Sequence, residues 1–357
     1  MVTMKRIIRP TGNPASVSVK MENDLKRGVI KSWISSTITY AFQGQSFGFE
    51  SKIHRIVLSV EKAKRAIQNV STITNAIGRI HEDKSFHPDE RSGFYGKKFI
   101  SNKRDLRIYI FAKPLKPFIP PSRIEIYPAD KISLGDYKKY LNSLNSIAGL
   151  RVSSVEYAID QYCWPSYVEH LFCLELRYLY FPYQRKANLY GGTALGVGTR
   201  LNMVCHFGNR NKWKLYERGK DKDKDRIRKG WQNQKLGRVR LEHTATRERL
   251  RKHGINTLSD FMRGPKFYEL NKGLWHFKKF EGSSRLPNEC DEYDTGVFQK
   301  EYFAAKEKVS NRAQYLGEAE AKDVRILRER LLLSMQVFDR QWSAPNGRGY
   351  IIRLNTI

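Results

Sequence analysis

Long apolar runs are missing from this chain. No stretch of about 18 apolar residues occurs in its 357, so no bilayer-spanning helix of ordinary length is expected. The start, Met1-Val2-Thr3-Met4-Lys5-Arg6, is basic, but no apolar segment follows it, which argues against a secretory signal. Cysteine is scarce. Cys163, Cys173, Cys205 and Cys290 show no CxxC spacing, which excludes a disulfide scaffold and disfavours a zinc site. They read as reduced thiols filling a core in a cytoplasm. Histidine is thin as well: eight residues, none in a His-hydrophobe-His pair. His81, His206 and His243 stand alone and read as structural. Acidic charge is the largest deficit, with 36 Asp+Glu against 65 Lys+Arg.

The basic excess gives a formal net charge of +29 and a pI near 9.9. A polyanionic partner follows, nucleic acid first and an anionic membrane surface second. With 40% hydrophobic residues, 18 Phe, 19 Tyr and 6 Trp, the chain can build a real core, so wholesale disorder is not expected. The charge is uneven. Residues 210–252 hold 17 Lys+Arg and 6 Asp+Glu, +11 of the total.

The organisation reads as an N-terminal extension over 1–50, a core over 51–270 and a C-terminal helical accessory region over 271–357. Strands are predicted at 53–60, 107–112, 123–128, 152–160, 201–207, 212–217 and 237–243 from β-branched enrichment and alternation. Helices are predicted at 61–82, 133–149, from 244 to a stop at Gly254, and 316–338, where apolar residues recur every three or four positions. Residues 165–180 fit either element. The Gly-rich stretch Gly191–Gly198 reads as a turn. Strand-helix-strand-strand groups could occur twice, before and after about residue 150. The mixed elements make the fold class α+β; the family resemblance given below implies a large antiparallel sheet with flanking helices, built from two similar β-α-β-β halves.

Four acids lie on these strands. Glu125 faces away from Ile124 and Ile126. Glu156 and Asp160 share one face, because positions i and i+4 of a strand do. Glu242 shares a face with Arg238 and Arg240. If they converge, the cluster repels itself unless a cation binds, and such oxygen ligands suit Mg²⁺ or Mn²⁺. Taken singly, each acid also reads as a solvated residue or an ion-pair partner. Tyr216, between Lys214 and Arg218, reads as a half-buried strand aromatic or as a nucleophile beside cations that bind phosphate.

The order of motifs resembles the rolling-circle replication initiators of filamentous phages and of the related plasmid trans-acting Rep group. It runs Ile124-Glu125-Ile126, then Val155-Glu156-Tyr157-Ala158-Ile159-Asp160, then Lys214-Leu215-Tyr216-Glu217-Arg218-Gly219-Lys220. Arg238-Val239-Arg240-Leu241-Glu242 and Arg249-Leu250-Arg251-Lys252-His253-Gly254-Ile255 complete it. The match covers roughly residues 53–265. Glu156 departs from the aspartate more usual in that family. The resemblance implies a metal-dependent nicking-closing endonuclease acting in a bacterial cytoplasm on phage or plasmid DNA. Tyr216 would be its nucleophile, with Glu125, Glu156, Asp160 and Glu242 holding Mg²⁺ or Mn²⁺. Lys212, Lys214, Arg218, Lys220, Arg238 and Arg240 would grip single-stranded or cruciform origin DNA. Host helicase and polymerase would be partners, a homodimer is possible in this family, and a membrane is not involved. The missing His-hydrophobe-His pair argues for a carboxylate metal site. A DNA-binding regulator without chemistry, or a relaxase or transposase with the same tyrosine chemistry, are the rival readings.

Overall fold

The computed structural model describes residues 37–42, 45–60, 80–88, 94–103, 105–129, 132–145, 147, 149–163, 171–172, 175, 179–180, 187–190, 204–207, 213–217, 237–273, 276–280, 315–318 and 322–344. An 11-stranded antiparallel sheet organises them. Its strands are β1 (Thr37–Phe42), β2 (Gln45–Val60), β3 (His81–Glu82), β4 (Tyr95–Lys103), β5 (Leu106–Pro114), β6 (Ser122–Pro128), β7 (Leu150–Cys163), β9 (Ala187–Tyr190), β10 (Val204–Phe207), β11 (Trp213–Glu217) and β12 (Gly237–Thr246). The spatial order is β3-β4-β5-β6-β2-β7-β12-β11-β10-β9, with β1 pairing β2 off this path. A small second sheet joins β8 (Leu179–Tyr180), β13 (His276–Phe280) and β14 (Tyr315–Glu318). The expected α+β architecture with a large antiparallel sheet is what the chain forms.

The strand order has an internal symmetry. In the first half, β2 is followed by the meander β4-β5-β6, and β6 returns beside β2. In the second, β7 is followed by β10-β11-β12, and β12 returns beside β7. The two first strands, β2 and β7, pair antiparallel at the centre, where Arg55 faces Glu156.

Period-two alternation decides which face is covered. Ile53, Ile56, Leu58, Val155, Tyr157, Ile159, Leu215, Val239 and Leu241 point to one face and are buried there. Helices close over it: α1 (Leu134–Asn145), α2 (Arg247–Lys252), α3 (Leu258–Arg263), α4 (Phe267–Asn271) and α5 (Lys322–Ser343). Tyr137, Leu141 and Leu144 give α1 its inward stripe, and Ser133 caps it by accepting from the Asp136 N–H at 3.0 Å. Thr257 and Asp260 form a capping box on α3. Leu327, Leu331, Met335, Phe338 and Trp342 turn one stripe of α5 into the same core. Ser334 of α5 bonds Ser51 of β2 at 2.8 Å, and Asp339 accepts from the Phe267 and Tyr268 N–H groups at the start of α4, each at 2.8 Å.

Several elements differ from the sequence reading. β2 begins at Gln45, inside the stretch read as an extension, and β1 pairs with it there. Tyr95–Lys103 is a strand, although its glycine and three lysines disguise the alternation. α3 and α4 are too short to show a period. The helix expected near 316–338 starts at Lys322, and Tyr315–Glu318 is a strand. The helix expected from 61 and the Gly191–Gly198 turn lie outside the described residues, apart from His81–Glu82, which is a strand.

Glu175 is fully buried and accepts from the Gln161 side chain at 2.6 Å. Burial pushes its carboxyl up from 4.5 to about 8, against the Gln161 hydrogen bond. Between those values the folded chain holds a proton that the unfolded chain has released, so stability falls as pH rises through the window. Glu175→Gln removes the titration. The expected result is a melting temperature that drops less than the wild type's between about pH 6 and pH 8.5; parallel curves for the two proteins would contradict it.

Candidate active site

The sheet face opposite the helices carries the charged residues. Tyr216 and Lys214 come from β11, Arg238, Arg240 and Glu242 from β12, Glu156 and Asp160 from β7, and Lys52, His54 and Arg55 from β2. Strand pairing sets the neighbours. Tyr216 lies opposite Arg240, which lies opposite Asp160; Lys214 lies opposite Glu242.

A β-bulge delivers the fourth strand's contribution. The register between β2 and β7 shifts between Ile53 and Arg55, so Ile53 pairs Tyr157 while Arg55 pairs Glu156. The extra residue lets His54 and Arg55, neighbours in sequence, both reach the charged face. His54 Nδ1 lies 2.9 Å from Glu242 and 3.7 Å from Glu156, and Arg55 Nε lies 3.1 Å from Glu156. Lys214 Nζ bridges the carboxylates, 2.8 Å from Glu156 and 3.4 Å from Glu242. The Tyr216 hydroxyl donates a short hydrogen bond to Glu242 Oε1.

The titration follows from this packing. Burial would lower the His54 imidazole, but Glu242 and then Glu156 outweigh it and raise the pKa to about 9. Burial likewise opposes the Lys214 charge, and the same two carboxylates raise it. Glu156 is held well below the usual carboxylate range. Burial resists this, but the His54 hydrogen bond and the Lys214 and Arg55 charges prevail. Burial drives the Tyr216 phenol well above 10, and Glu242 adds to the effect against Arg240.

Asp160 belongs to a different arrangement. It is fully buried, paired with Arg240 through both carboxylate oxygens, and lies 2.6 Å from Lys52 and 3.2 Å from Arg238. These cations overcome its burial and hold it ionised. Glu125 also has its own partners. It lies 3.0 Å from Arg123, 3.9 Å from Arg55, and accepts from Tyr127 at 2.7 Å. Of the four acids expected to hold a metal, Glu156 and Glu242 share a cluster with His54. Asp160 and Glu125 stand in ion-pair networks to either side.

One ligand atom each from His54, Glu156 and Glu242 lies within 4.8 Å of the others. Ligands at about 2.1 Å from a common ion sit about 3 Å apart, so small side-chain adjustments suffice. His54 Nδ1 is aimed at both carboxylates, 2.9 Å from Glu242 and 3.7 Å from Glu156, so all three donors converge on one point. The donors fit a divalent cation. An imidazole beside two carboxylates suits Mn²⁺ better than Mg²⁺.

Of the six residues expected to bind DNA, Lys214, Arg238 and Arg240 are on this face. Lys212, Arg218 and Lys220 lie outside the described residues. Trp213 is buried and stacks on His243 at 3.8 Å, and His243 Nδ1 pairs with Asn271 at 2.7 Å. Both are core residues. His54 is the residue that sequence reasoning missed. Its signal was Ile53-His54-Arg55-Ile56, where two polar residues between two core residues break the alternation.

The sequence matches no protein-family model and no curated protein. Among solved structures, the chain is similar to a rolling circle replication initiator protein from Geobacillus stearothermophilus. The identity is 9%, over 73% of this chain and 97% of that one, with a TM-score of 0.38. Likeness of that degree decides nothing about function, which rests on the side chains. Among the described residues, no helix is long and apolar enough to cross a membrane.

Two substitutions separate the clusters. His54→Ala should weaken Mn²⁺ binding by about tenfold or more in isothermal titration; unaltered affinity would remove His54 as a ligand. Asp160→Ala should instead cost stability, about 3–5 kcal/mol in denaturant unfolding, because it strands the buried Arg240 guanidinium. A loss under about 1 kcal/mol would show that Arg240 is neutralised elsewhere.

Proposed function

We propose that this protein is a DNA nicking-closing endonuclease that initiates rolling-circle replication, with Tyr216 as its nucleophile. The observation that carries the reading is the Tyr216 hydroxyl donating to Glu242, a carboxylate that is also a member of the His54–Glu156–Glu242 group. A nucleophile, a proton acceptor and a cation-binding cluster are thereby joined on one face of a strongly basic chain.

Each side chain has a role in the reaction. The Tyr216 oxygen attacks the scissile phosphorus while Glu242 takes the phenol proton. A phosphotyrosyl bond forms, the bond to the 3′ oxygen breaks, and that oxygen leaves as a hydroxyl after taking a proton from solvent. A divalent cation bound at His54, Glu156 and Glu242 would polarise the phosphate and neutralise developing charge. Lys214 and Arg238, half-buried on the same face, contact phosphate oxygens. Arg240, locked by Asp160 and 3.5 Å from Glu242, fixes the proton acceptor in place. The freed 3′ hydroxyl is the primer end for a host polymerase, working with a host helicase. Because the phosphotyrosyl bond conserves the energy of the phosphodiester, attack by a 3′ hydroxyl reseals a circle.

The phenol's high pKa suits this order of events. At neutral pH it stays protonated, so attack requires Glu242 to take its proton as the bond to phosphorus forms.

Tyr216→Phe keeps the ring and removes the attacking oxygen. Incubated with Mn²⁺ and single-stranded circular DNA, it should give no covalent protein–DNA adduct on a denaturing gel while retaining DNA binding; an adduct from this variant rules Tyr216 out. Binding to a single-stranded oligonucleotide should weaken with salt at a log–log slope of about −3 or steeper, at about −0.7 for each phosphate neutralised. A flat response would leave no role for the basic face.

A further inference from the structure

Among the described residues, the exposed large hydrophobics are Leu115 and Phe118, with 58% and 75% of their surface open. Both sit in the connection between β5 and β6. Pro114, Pro117, Pro120 and Pro121 brace it, fixing four backbone φ angles. The loop is tied down further. Leu115 N–H donates to the Phe94 carbonyl at 2.8 Å, Ile119 N–H to the Lys116 carbonyl at 3.1 Å, and Tyr95 hydroxyl to the Pro120 carbonyl at 2.8 Å. Lys113 and Phe94 both adopt left-handed backbone, with φ of 57° and 64°. An ordinary hairpin turn has no need of such anchoring, and a water-exposed Phe would gain nothing from being held rigid.

The chemistry around the tip indicates what it meets. Lys113 and Lys116 are exposed beside it, and no acid occurs between Leu106 and Ile124. Lys116 Nζ stands 3.9 Å from the Phe94 ring centroid and 5.9 Å from that of Phe118. An aromatic surface interleaved with cations matches a nucleic-acid strand, whose bases stack on the ring while its phosphates meet the ammonium groups. The base of the loop lies on the strand neighbouring the one that carries His54. Ser122, where β6 begins, pairs with Val60. Val60 lies six positions along β2 from His54, which is about 20 Å at strand spacing.

We propose that the β5–β6 loop is a strand-separating wedge. Phe118 stacks on the first unpaired base at a duplex–single-strand junction, Leu115 packs beside it, and Lys113 and Lys116 hold the flanking phosphates. The prolines matter because a wedge ordered in advance loses little entropy when it inserts. The inference rests on the nicking reading for its placement, since a nick in single-stranded substrate needs the duplex opened nearby.

The test uses the full chain and a forked DNA duplex carrying a fluorophore–quencher pair at the junction. At equal occupancy of the fork, wild-type protein should open junction pairs. Phe118→Ala should lower the opened fraction about tenfold or more, and Phe118→Trp should restore it. Phe118 is exposed, so neither change threatens the fold. Equal opening by Phe118→Ala and wild type overturns the proposal. So does absence of opening together with Phe118-dependent binding to phosphatidylserine vesicles, which would make the tip a membrane contact. Tyr216→Phe should open the fork as wild type does. Failure of wild type to form a covalent adduct, with Phe118-dependent opening intact, would remove the nicking reading and leave the wedge.

Discussion

Two carboxylates buried on neighbouring strands repel each other when both are charged, and burial leaves that repulsion poorly screened. Glu156 on β7 and Glu242 on β12 are such a pair, and the layout of the charged face follows from the need to place positive charge between them. Lys214 bridges both, His54 reaches both, and Arg55 holds Glu156 from the other side. A divalent cation is the compact alternative to this ring of side chains. The Tyr216 hydroxyl donates into the same cluster, so a carboxylate that organises this face is also its hydrogen-bond acceptor.

The internal symmetry of the sheet shows how the two halves differ at matching positions. Register positions align Arg123-Ile124-Glu125 of β6 with Arg240-Leu241-Glu242 of β12, because Glu125 lies opposite Val57 of β2 as Glu242 lies opposite Ala158 of β7. On the next strand out, Phe111 opposite Arg123 corresponds to Tyr216 opposite Arg240. At the centre, Arg55 and Ser59 stand where the second half has Glu156 and Asp160. The first half thus shares the Arg-apolar-Glu strand and has neither a tyrosine nor a second acid at the matching positions. The Phe111 ring is buried under Arg123, whose guanidinium lies 4.4 Å from its centroid. Arg55 reaches across the pseudo-axis to Glu156, 3.1 Å away.

Local alternation made much of this legible. Period two put Glu156 and Asp160 on one face, Glu242 with Arg238 and Arg240, and Tyr216 on a strand, and each lies there in the structure. Alternation could not say which strand neighbours which, and partner choice depends on that. Asp160 meets Arg240 because β12 lies beside β7, about 80 residues away in sequence, and that pairing withdraws it from the cation-binding group. His54 stayed hidden for another reason: a bulge is an interruption of the very pattern used to read the strand. Short helices such as Leu258–Arg263 and the lysine-rich β4 were invisible because neither holds enough periods to stand above its charges.

The central claim is that one phenol, delivered to a carboxylate held among cations, becomes covalently joined to DNA. The most direct measurement is mass-spectrometric mapping of the tryptic peptide that retains a nucleotide after reaction with single-stranded DNA and Mn²⁺. The modified peptide should be Leu215-Tyr216-Glu217-Arg218, bearing the nucleotide on Tyr216. A nucleotide on any other residue would contradict the account, as would no modified peptide from protein that binds the same DNA and Mn²⁺.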